Sequence, residues 1–319
     1  MIDIIGAGSL GLLFAGRLAA TGTDVRLWTR TLEQARTIAC DGITVFDKEG
    51  EIAVHVSGDT FKVAPLADWQ RLNSHAPAQW IFLMTKQGAI REVLEQILPV
   101  ADTTRKPEMI CFQNGIGHIE RIRQVWPEGV LYPAVTTEGA KRQGPASILH
   151  AGAGVTEIGW SEEQVKAQAG NFEECVLNRL LAAGFDVCLS KEIEYGMYRK
   201  LLINAVINPL TAIWRIRNGE LLSDPVRLHM MRRLFDEGIQ VYEAHGIRWD
   251  SAWWEQIMNV CRATADNHSS MLADVLAQST TEVASINGQL VQMAEQAGIT
   301  APTHKVLWQL IEGMRLKEG

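Results

Sequence analysis

The sequence predicts an α/β domain built on a doubly wound, mostly parallel sheet, followed by an all-α domain. Three observations carry this reading. Short apolar runs alternate with helical stretches through residues 1–190, the pattern of strands joined by crossover helices. A glycine-rich turn, Gly6-Ala-Gly-Ser-Leu-Gly11, stands between the first apolar run and the first helix. Beyond the short strand Asp186–Leu189 the chain reads as helix throughout. The domain change therefore falls near residue 190, giving units of 1–190 and 191–319.

Composition narrows the functional classes. A chain of 319 residues, 47% hydrophobic and 21% charged, is long enough for two globular domains. Its net charge of -7 argues against general nucleic-acid binding. Five cysteines (Cys40, Cys111, Cys175, Cys188 and Cys261) are scattered and odd in number, with no C-x-x-C pair. They read as reduced thiols of a cytoplasmic protein, not as a disulfide framework or a zinc site. No apolar run approaches the roughly 20 residues that span a bilayer. Met1-Ile-Asp-Ile-Ile enters the glycine turn with no basic segment ahead of it, so no leader peptide is expected. H-E-x-x-H and G-x-S-x-G are absent, and no metal is expected.

The first elements read in order as follows. Ile2–Ile5 is a strand, and Leu12–Thr21 a helix. Between them G-x-G-x-x-G has the context of a Rossmann-type dinucleotide turn. Gly6 allows the tight turn, Gly8 lets the backbone approach a pyrophosphate, and Gly11 allows close packing of helix on strand. The helix N-terminus, with Ser9 and Leu10 in the turn, faces the phosphates with its partial positive charge. The second strand, Asp24–Trp28, ends in Thr29-Arg30, where an NAD-binding fold wants an acid for the ribose 2′-hydroxyl. Arg30 instead suits a 2′-phosphate, as NADPH and NADP+ carry; the plainer reading is a solvated loop charge.

Ile43–Phe46 and Glu51–Val56 flank Asp47-Lys-Glu-Gly50 as a hairpin. Trp80–Met84 ends in Thr85-Lys86, and Met109–Phe112 in Gln113-Asn-Gly-Ile-Gly117. Ligands of doubly wound sheets sit beyond the carboxyl ends of strands, where Lys86 and Asn114 stand. Their plainer readings are a surface lysine and a turn-forming Asn-Gly. Val130–Val135, Ser147–His150 and Val155–Ile158 are further strands.

A helix is expected over Glu163–Leu181, and others over Ala252–Ala265, Thr281–Gln296 and His304–Leu316. Ser223-Asp-Pro225 marks another helix start. Asp266–Leu272 reads as a polar interruption, and Ser279-x-x-Glu282 fits a capping box. The stretch Tyr198–Pro209 is an apolar helix broken by Lys200, Asn204 and Asn208. At about 100° per residue these side chains fall within roughly 80° of one another. Such a stripe faces a polar cavity or a partner helix, and its lysine is a candidate proton donor. The plainer reading is a snorkelling lysine with amides bonded to a neighbouring helix. Pro209 predicts a kink. His150 and His268 suit a histidine-dependent dehydrogenase less well than they suit core and loop positions.

With these pieces placed, the sequence resembles the ketopantoate reductase (2-dehydropantoate 2-reductase) family nearly end to end. The markers are Gly6-Ala-Gly-Ser-Leu-Gly11, Lys86, Asn114-Gly115, Lys200-x-x-x-Asn204-x-x-x-Asn208-Pro209-Leu210-Thr211, Asn218-Gly219, Ser269-Ser270-Met271-Leu272 and Thr281-Glu282 with Ile286-Asn287-Gly288. The resemblance implies NADPH-dependent reduction of 2-dehydropantoate to pantoate in pantothenate and coenzyme A biosynthesis. It implies that Lys200 is the general acid, with Glu282 beside it in the catalytic group, and that Ser270 binds the substrate carboxylate. Asn204, Asn208 and Asn218 would contact substrate. Asn114 and Glu282 would line the junction of ribose and substrate, and Arg30 and Lys86 the adenosine phosphate end. The implied partner is a small-molecule 2-oxo acid, with no nucleic acid and no membrane; a homodimer is compatible. The competing readings are an NADP-linked reductase of another branched 2-oxo acid, an opine or sugar-phosphate dehydrogenase relative, and a non-catalytic NADPH sensor.

Overall fold

The computed structural model describes residues 1–73, 76–98, 107–159, 172 and 176–314. The chain forms two compact units. One comprises Met1–Gln113 and His118–Ile193, the other Asn114–Gly117 and Glu194–Gly319. The Asn-Gly-Ile-Gly segment after the strand Glu108–Cys111 thus groups with the second unit, although it lies far from it in sequence.

Among the described residues the first unit holds twelve strands: β1 Ile2–Ile5, β2 Val25–Thr29, β3 Ile43–Phe46, β4 Ile52–Val56, β5 Lys62–Pro65, β6 Trp80–Leu83, β7 Glu108–Cys111, β8 Leu131–Thr136, β9 Gly139–Arg142, β10 Ser147–Gly152, β11 Val155–Gly159 and β12 Asp186–Ser190. Eight form one sheet in the order β12-β11-β8-β7-β6-β1-β2-β5. Its pairs are parallel except β8 with β11. Strands β1, β6 and β7 are buried along their whole length, as parallel strands covered on both faces must be. A second sheet runs β4-β3-β10-β9. The hairpin β3–β4 forms where the pattern placed it. Its edge pairs in parallel with β10, a contact that no local signal announces. β5 and β9 are also additions to the expected strands; both are short, and neither is fully buried. β10 and β11 are not partners, despite the glycine turn between them: they lie in different sheets.

Two buried polar clusters pin this unit. Arg26 on β2 pairs with Asp3 on β1 at 2.7 Å, donates to Asn73 Oδ1 at 2.9 Å, and lies over the rings of Trp28 and Trp69. Elsewhere Arg17 donates to His150 Nδ1 at 2.9 Å, and His150 Nε2 meets Glu138 Oε2 at 2.5 Å. Because a guanidinium only donates, Nδ1 must accept and Nε2 carries the ring proton. His150 is therefore a bonded core residue. His268 is exposed in a loop.

The second unit is helical. Its longest helix, Ile193–Trp214, runs through Pro209. Pro225–Ala244, Ala252–Ala263, Ser270–Leu276, Val283–Gln296 and Pro302–Gly313 surround a core that includes Leu201, Leu202, Val206, Leu234, Tyr242 and Leu290. Asp224 caps Pro225–Ala244, accepting from Val226 N at 2.7 Å and Arg227 N at 3.4 Å, so the start read at Ser223-Asp-Pro225 forms.

Several sequence expectations differ from the structure. Asp266–Leu272 is not only an interruption: Ser269 accepts from Leu272 N at 3.1 Å and caps the new helix Ser270–Leu276. The expected capping box at Ser279-x-x-Glu282 does not form. Ser279 instead closes the preceding helix, with its Oγ 2.9 Å from Asp274 Oδ1, and the next helix begins at Val283 with no side-chain cap. Most of the helix expected over Glu163–Leu181 lies outside the described residues, as do Leu316 and Cys175; within that stretch Asn178–Ala182 is helical. Cys40, Cys111, Cys188 and Cys261 are free thiols. Among the described residues no helix is long and apolar enough to cross a membrane.

Candidate active site

The candidate residues fall in two groups, one in each unit. In the first, β1 delivers the chain into the glycine turn. Gly6 has φ +111°, and a Cβ there would lie 2.9 Å from the Met84 carbonyl. A Cβ on Gly11 would sit 1.8 Å from the Gly6 oxygen, so only hydrogen fits. Gly8 differs from both: it is exposed, and a Cβ on it would meet nothing within 4 Å. Helix Ser9–Ala20 starts from Gly8 without a side-chain cap, and its first internal bond is Leu12 N to Gly8 O at 3.0 Å. The N–H groups of Ser9, Leu10 and Gly11 therefore lack helical acceptors, and their dipoles favour an anion. Open space above Gly8 beside free donors is what a dinucleotide pyrophosphate needs, so the residues fit that group.

At the end of β2, Thr29 is wholly buried and its Oγ1 donates to Thr31 O at 2.7 Å. Thr29 thus shapes the loop and leaves Arg30 exposed. Among the described residues Arg30 has no ion-pair or hydrogen-bond partner. Another cation feels its charge: burial first, and Arg30 second, push the Arg142 guanidinium down. Arg142, at the end of β9, is steadied by its Nε donating to Gly144 O at 2.9 Å. Gln34 ties this corner together, its Nε2 lying 2.8 Å from Ala7 O in the glycine turn and 3.1 Å from Pro145 O. The two guanidinium groups thus lie close enough to act on each other. Arg142 and Gln34 were not read from the sequence. Arg142 comes from a strand far along the chain, and only the tertiary fold brings it to Arg30. Lys86 is exposed, just past the end of β6.

In the second unit the long helix places Lys200, Asn204 and Asn208 on one stripe. Lys200 is partly exposed, yet its ammonium is largely desolvated. Burial pushes its pKa down to about 8, against a smaller upward pull from the Glu282 carboxylate. Glu282 stands at the start of Val283–Gln296, where it caps nothing; its Oε2 accepts from Asn114 Nδ2 at 2.9 Å. Asn114 reaches it from a turn in which Gly115 and Gly117 hold φ +83° and +85°. Asn208 is 6% exposed and Asn204 partly exposed. Among the described residues neither side chain has a hydrogen-bond partner.

The paired serines divide. Ser269 is buried and bonded, capping its helix and lying 2.7 Å from Thr211 Oγ1. Ser270 is exposed, and among the described residues its hydroxyl has no partner. Asn218 is 7% exposed; its Nδ2 donates to Thr264 Oγ1 at 2.9 Å, while its buried Oδ1 has no partner among the described residues.

Comparison with known proteins identifies the family. The family Ketopantoate reductase PanE/ApbA matches residues 2–163, and its C-terminal counterpart matches residues 192–315. The chain belongs to the ketopantoate reductase family. This makes it a member of an oxidoreductase family with a Rossmann-type first domain and a helical second domain. A 2-dehydropantoate 2-reductase from Archaeoglobus fulgidus is 32% identical, the match covering 98% of this chain and 97% of that one. A PanE/ApbA family ketopantoate reductase from Ralstonia eutropha shares the fold with a TM-score of 0.81 at 22% identity, over 99% and 98% of the two chains. D-mandelate dehydrogenase, solved with NADH and anilino(oxo)acetate, superposes with a TM-score of 0.85 at 22% identity, over 99% and 98%.

Proposed function

We propose that this protein reduces 2-dehydropantoate to pantoate with NADPH, and that Lys200 is the general acid. The observation that carries the reading is the Lys200 stripe: a desolvated ammonium near Glu282, followed by two amides with no hydrogen-bond partner among the described residues. When bound, the reduced nicotinamide supplies a hydride to the ketone carbon. The charge that then develops on the ketone oxygen is met by the Lys200 ammonium, which stabilises it and gives up a proton. An ordinary lysine is too weak an acid for this at neutral pH; one at about 8 is protonated yet ready to release. Ser270 would bind the substrate carboxylate, and Asn114 would hold the Glu282 carboxylate in place. Asn218 would contact substrate through its unbonded Oδ1.

NADPH is favoured over NADH by the Arg30 corner. The acid that would take a ribose 2′-hydroxyl is absent there, and two guanidinium groups offer a 2′-phosphate charge-assisted bonds. Lys86 adds a further cation at the carboxyl end of β6. The reading places the enzyme in pantothenate synthesis, acting on a small molecule in the cytoplasm.

The substrate's second hydroxyl is the sharper claim. A simple 2-oxo acid needs a carboxylate ligand and a carbonyl donor, which Ser270 and Lys200 supply. Asn204 and Asn208 would then remain unbonded. Once bound substrate excludes water, an amide left without a partner costs about 1–3 kcal/mol. A hydroxyl-bearing substrate satisfies these amides, and a site built to bond a hydroxyl rejects the deoxy analogue. The test compares kcat/KM for 2-dehydropantoate with that for 2-oxoisovalerate, in the parent and in Asn208→Ala. The parent should prefer the hydroxylated substrate by about a hundredfold or more, and the variant should lose most of that preference. Equal handling of both acids would instead assign the protein to another branched 2-oxo acid. Binding of NADPH with no turnover of any 2-oxo acid would favour a sensor.

A further inference from the structure

The Lys200 helix contains a proline, and its consequence is local and definite. Pro209 has no N–H, so the Ala205 carbonyl four residues back lacks its helical donor. Ala205 is wholly buried. The missing donor comes from another helix: Asn287 Nδ2 lies 3.0 Å from Ala205 O. A carbonyl only accepts, so the Asn287 amide must present its nitrogen there. The same Nδ2 lies 3.0 Å from His304 Nδ1, which must then accept, leaving the His304 proton on Nε2, 2.9 Å from Leu234 O. Donors therefore run in a fixed sense from His304 to Leu234 and from Asn287 to both His304 and Ala205. Asn287 is itself wholly buried, and its Oδ1 has no partner among the described residues. The amide is kept for its two N–H donors.

We propose that Asn287 is a positioning residue: its amide replaces the absent Pro209 N–H at the Ala205 carbonyl and thereby fixes how Lys200, Asn204 and Asn208 are presented. The inference rests on the reading that those three side chains act on substrate. Ala205 lies between them, one residue past Asn204 and three before Asn208. A proline ring crowds the carbonyl four residues back and invites the helix to bend. The partner of that carbonyl then sets the angle between the turn carrying Lys200 and the turn carrying Asn208. In catalytic sites, misplacement by about 1 Å costs up to a hundredfold.

The test uses the full chain as Asn287→Ala, Pro209→Ala and the double variant. An alanine at 209 restores the backbone N–H, so Ala205 no longer needs Asn287. Two readouts are taken. One is the pH dependence of Lys200 modification by an amine reagent, followed by mass spectrometry without cofactor; the other is kcat with NADPH and 2-dehydropantoate. Asn287→Ala should move the Lys200 midpoint by about half a pH unit or more and lower kcat by about tenfold or more, with KM for NADPH little changed. Pro209→Ala alone should stay near the parent, and the double variant should return toward it, a coupling that independent sites do not show. An Asn287→Ala protein with parental midpoint and kcat overturns the proposal, as does a double variant as impaired as Asn287→Ala. If Asn287→Ala does not fold, the double variant decides: folded with a parental midpoint supports the proposal, unfolded overturns it. A parent that reduces no 2-oxo acid counts against the proposed function, while the Lys200 midpoints still decide the role of Asn287.

Discussion

At the glycine turn of the α/β unit the groups that face open space are backbone: the bare Cα of Gly8 and the N–H groups without helical acceptors at the start of helix Ser9–Ala20. In the helical unit they are side chains, standing on a helix whose other faces are buried. The first arrangement is encoded by what is missing, since any side chain at Gly11 would strike Gly6. The second is encoded by what is left unbonded. Along the Lys200 helix, Thr211 and the Ala205 carbonyl have partners, whereas Asn204 and Asn208 have none among the described residues. Within this helix, the groups that hold the fold are bonded to the protein, and among the described residues the two amides of the stripe are not.

The largest effect should follow from removing the Lys200 cation of the second arrangement. Lys200→Ala should lower single-turnover hydride transfer, read at the nicotinamide absorbance band, by about 10²–10⁴-fold. It should also melt a few degrees higher than the parent, because a desolvated ammonium costs stability that alanine does not. Transfer at the parental rate would make Lys200 a structural residue.

The glycine turn offers a contrast within itself. Gly11→Ala should unfold or destabilise the protein by about 3 kcal/mol or more, since the clash is with backbone that cannot move aside. Gly8→Ala should melt like the parent, having nothing to strike, yet bind NADPH about ten to a hundredfold more weakly in a fluorescence titration. Unchanged binding would mean that no phosphate approaches Gly8.

Arg30→Ala should weaken NADPH binding by about tenfold and leave NADH nearly unchanged, the scale of one exposed charge-assisted contact. Arg142→Ala should act in the same direction and more weakly, because its Nε is already engaged by Gly144. Equal losses for both cofactors would remove the phosphate from this corner.

The difference between the two regions also explains what the sequence could tell. The glycine turn is contiguous, so strand, turn and helix are legible from eleven residues. The Lys200 stripe is legible from helical period alone, since Lys200, Asn204 and Asn208 interrupt an apolar run. What closes each group is not local. Arg142 joins Arg30 from the edge of a second sheet that rests on the parallel pairing of β3 with β10. Asn114 reaches Glu282 across 168 positions of chain. Local signals can even mislead here. Ser279-x-x-Glu282 has the spacing of a capping box, yet the tertiary partner Asn114 takes the carboxylate and the helix starts at Val283.

The smallest expected effect tests that tertiary partner. As the proposed acid, Lys200 carries its proton in the reducing direction, so kcat/KM should be level below a pH of about 8 and fall above it. Two influences set that midpoint. Desolvation lowers it and dominates, and the Glu282 charge raises it. Glu282→Gln keeps an oxygen that can accept from Asn114 Nδ2 but removes the charge. The ammonium loses support, its pKa drops further, and the falling limb of kcat/KM should move to lower pH, by about half to one unit. Stability should follow the same sign. Below the folded pKa the ammonium is charged in both folded and unfolded chains, and the cost of its desolvation is present in full. As pH rises from about 8 toward the ordinary lysine value of 10.5, the folded chain sheds the proton first and that cost is relieved. In Glu282→Gln the relief should begin at lower pH, visible as an earlier rise in the melting temperature measured against pH. A limb that stays in place, or moves upward, would show that Glu282 holds Asn114 and its turn without acting on Lys200.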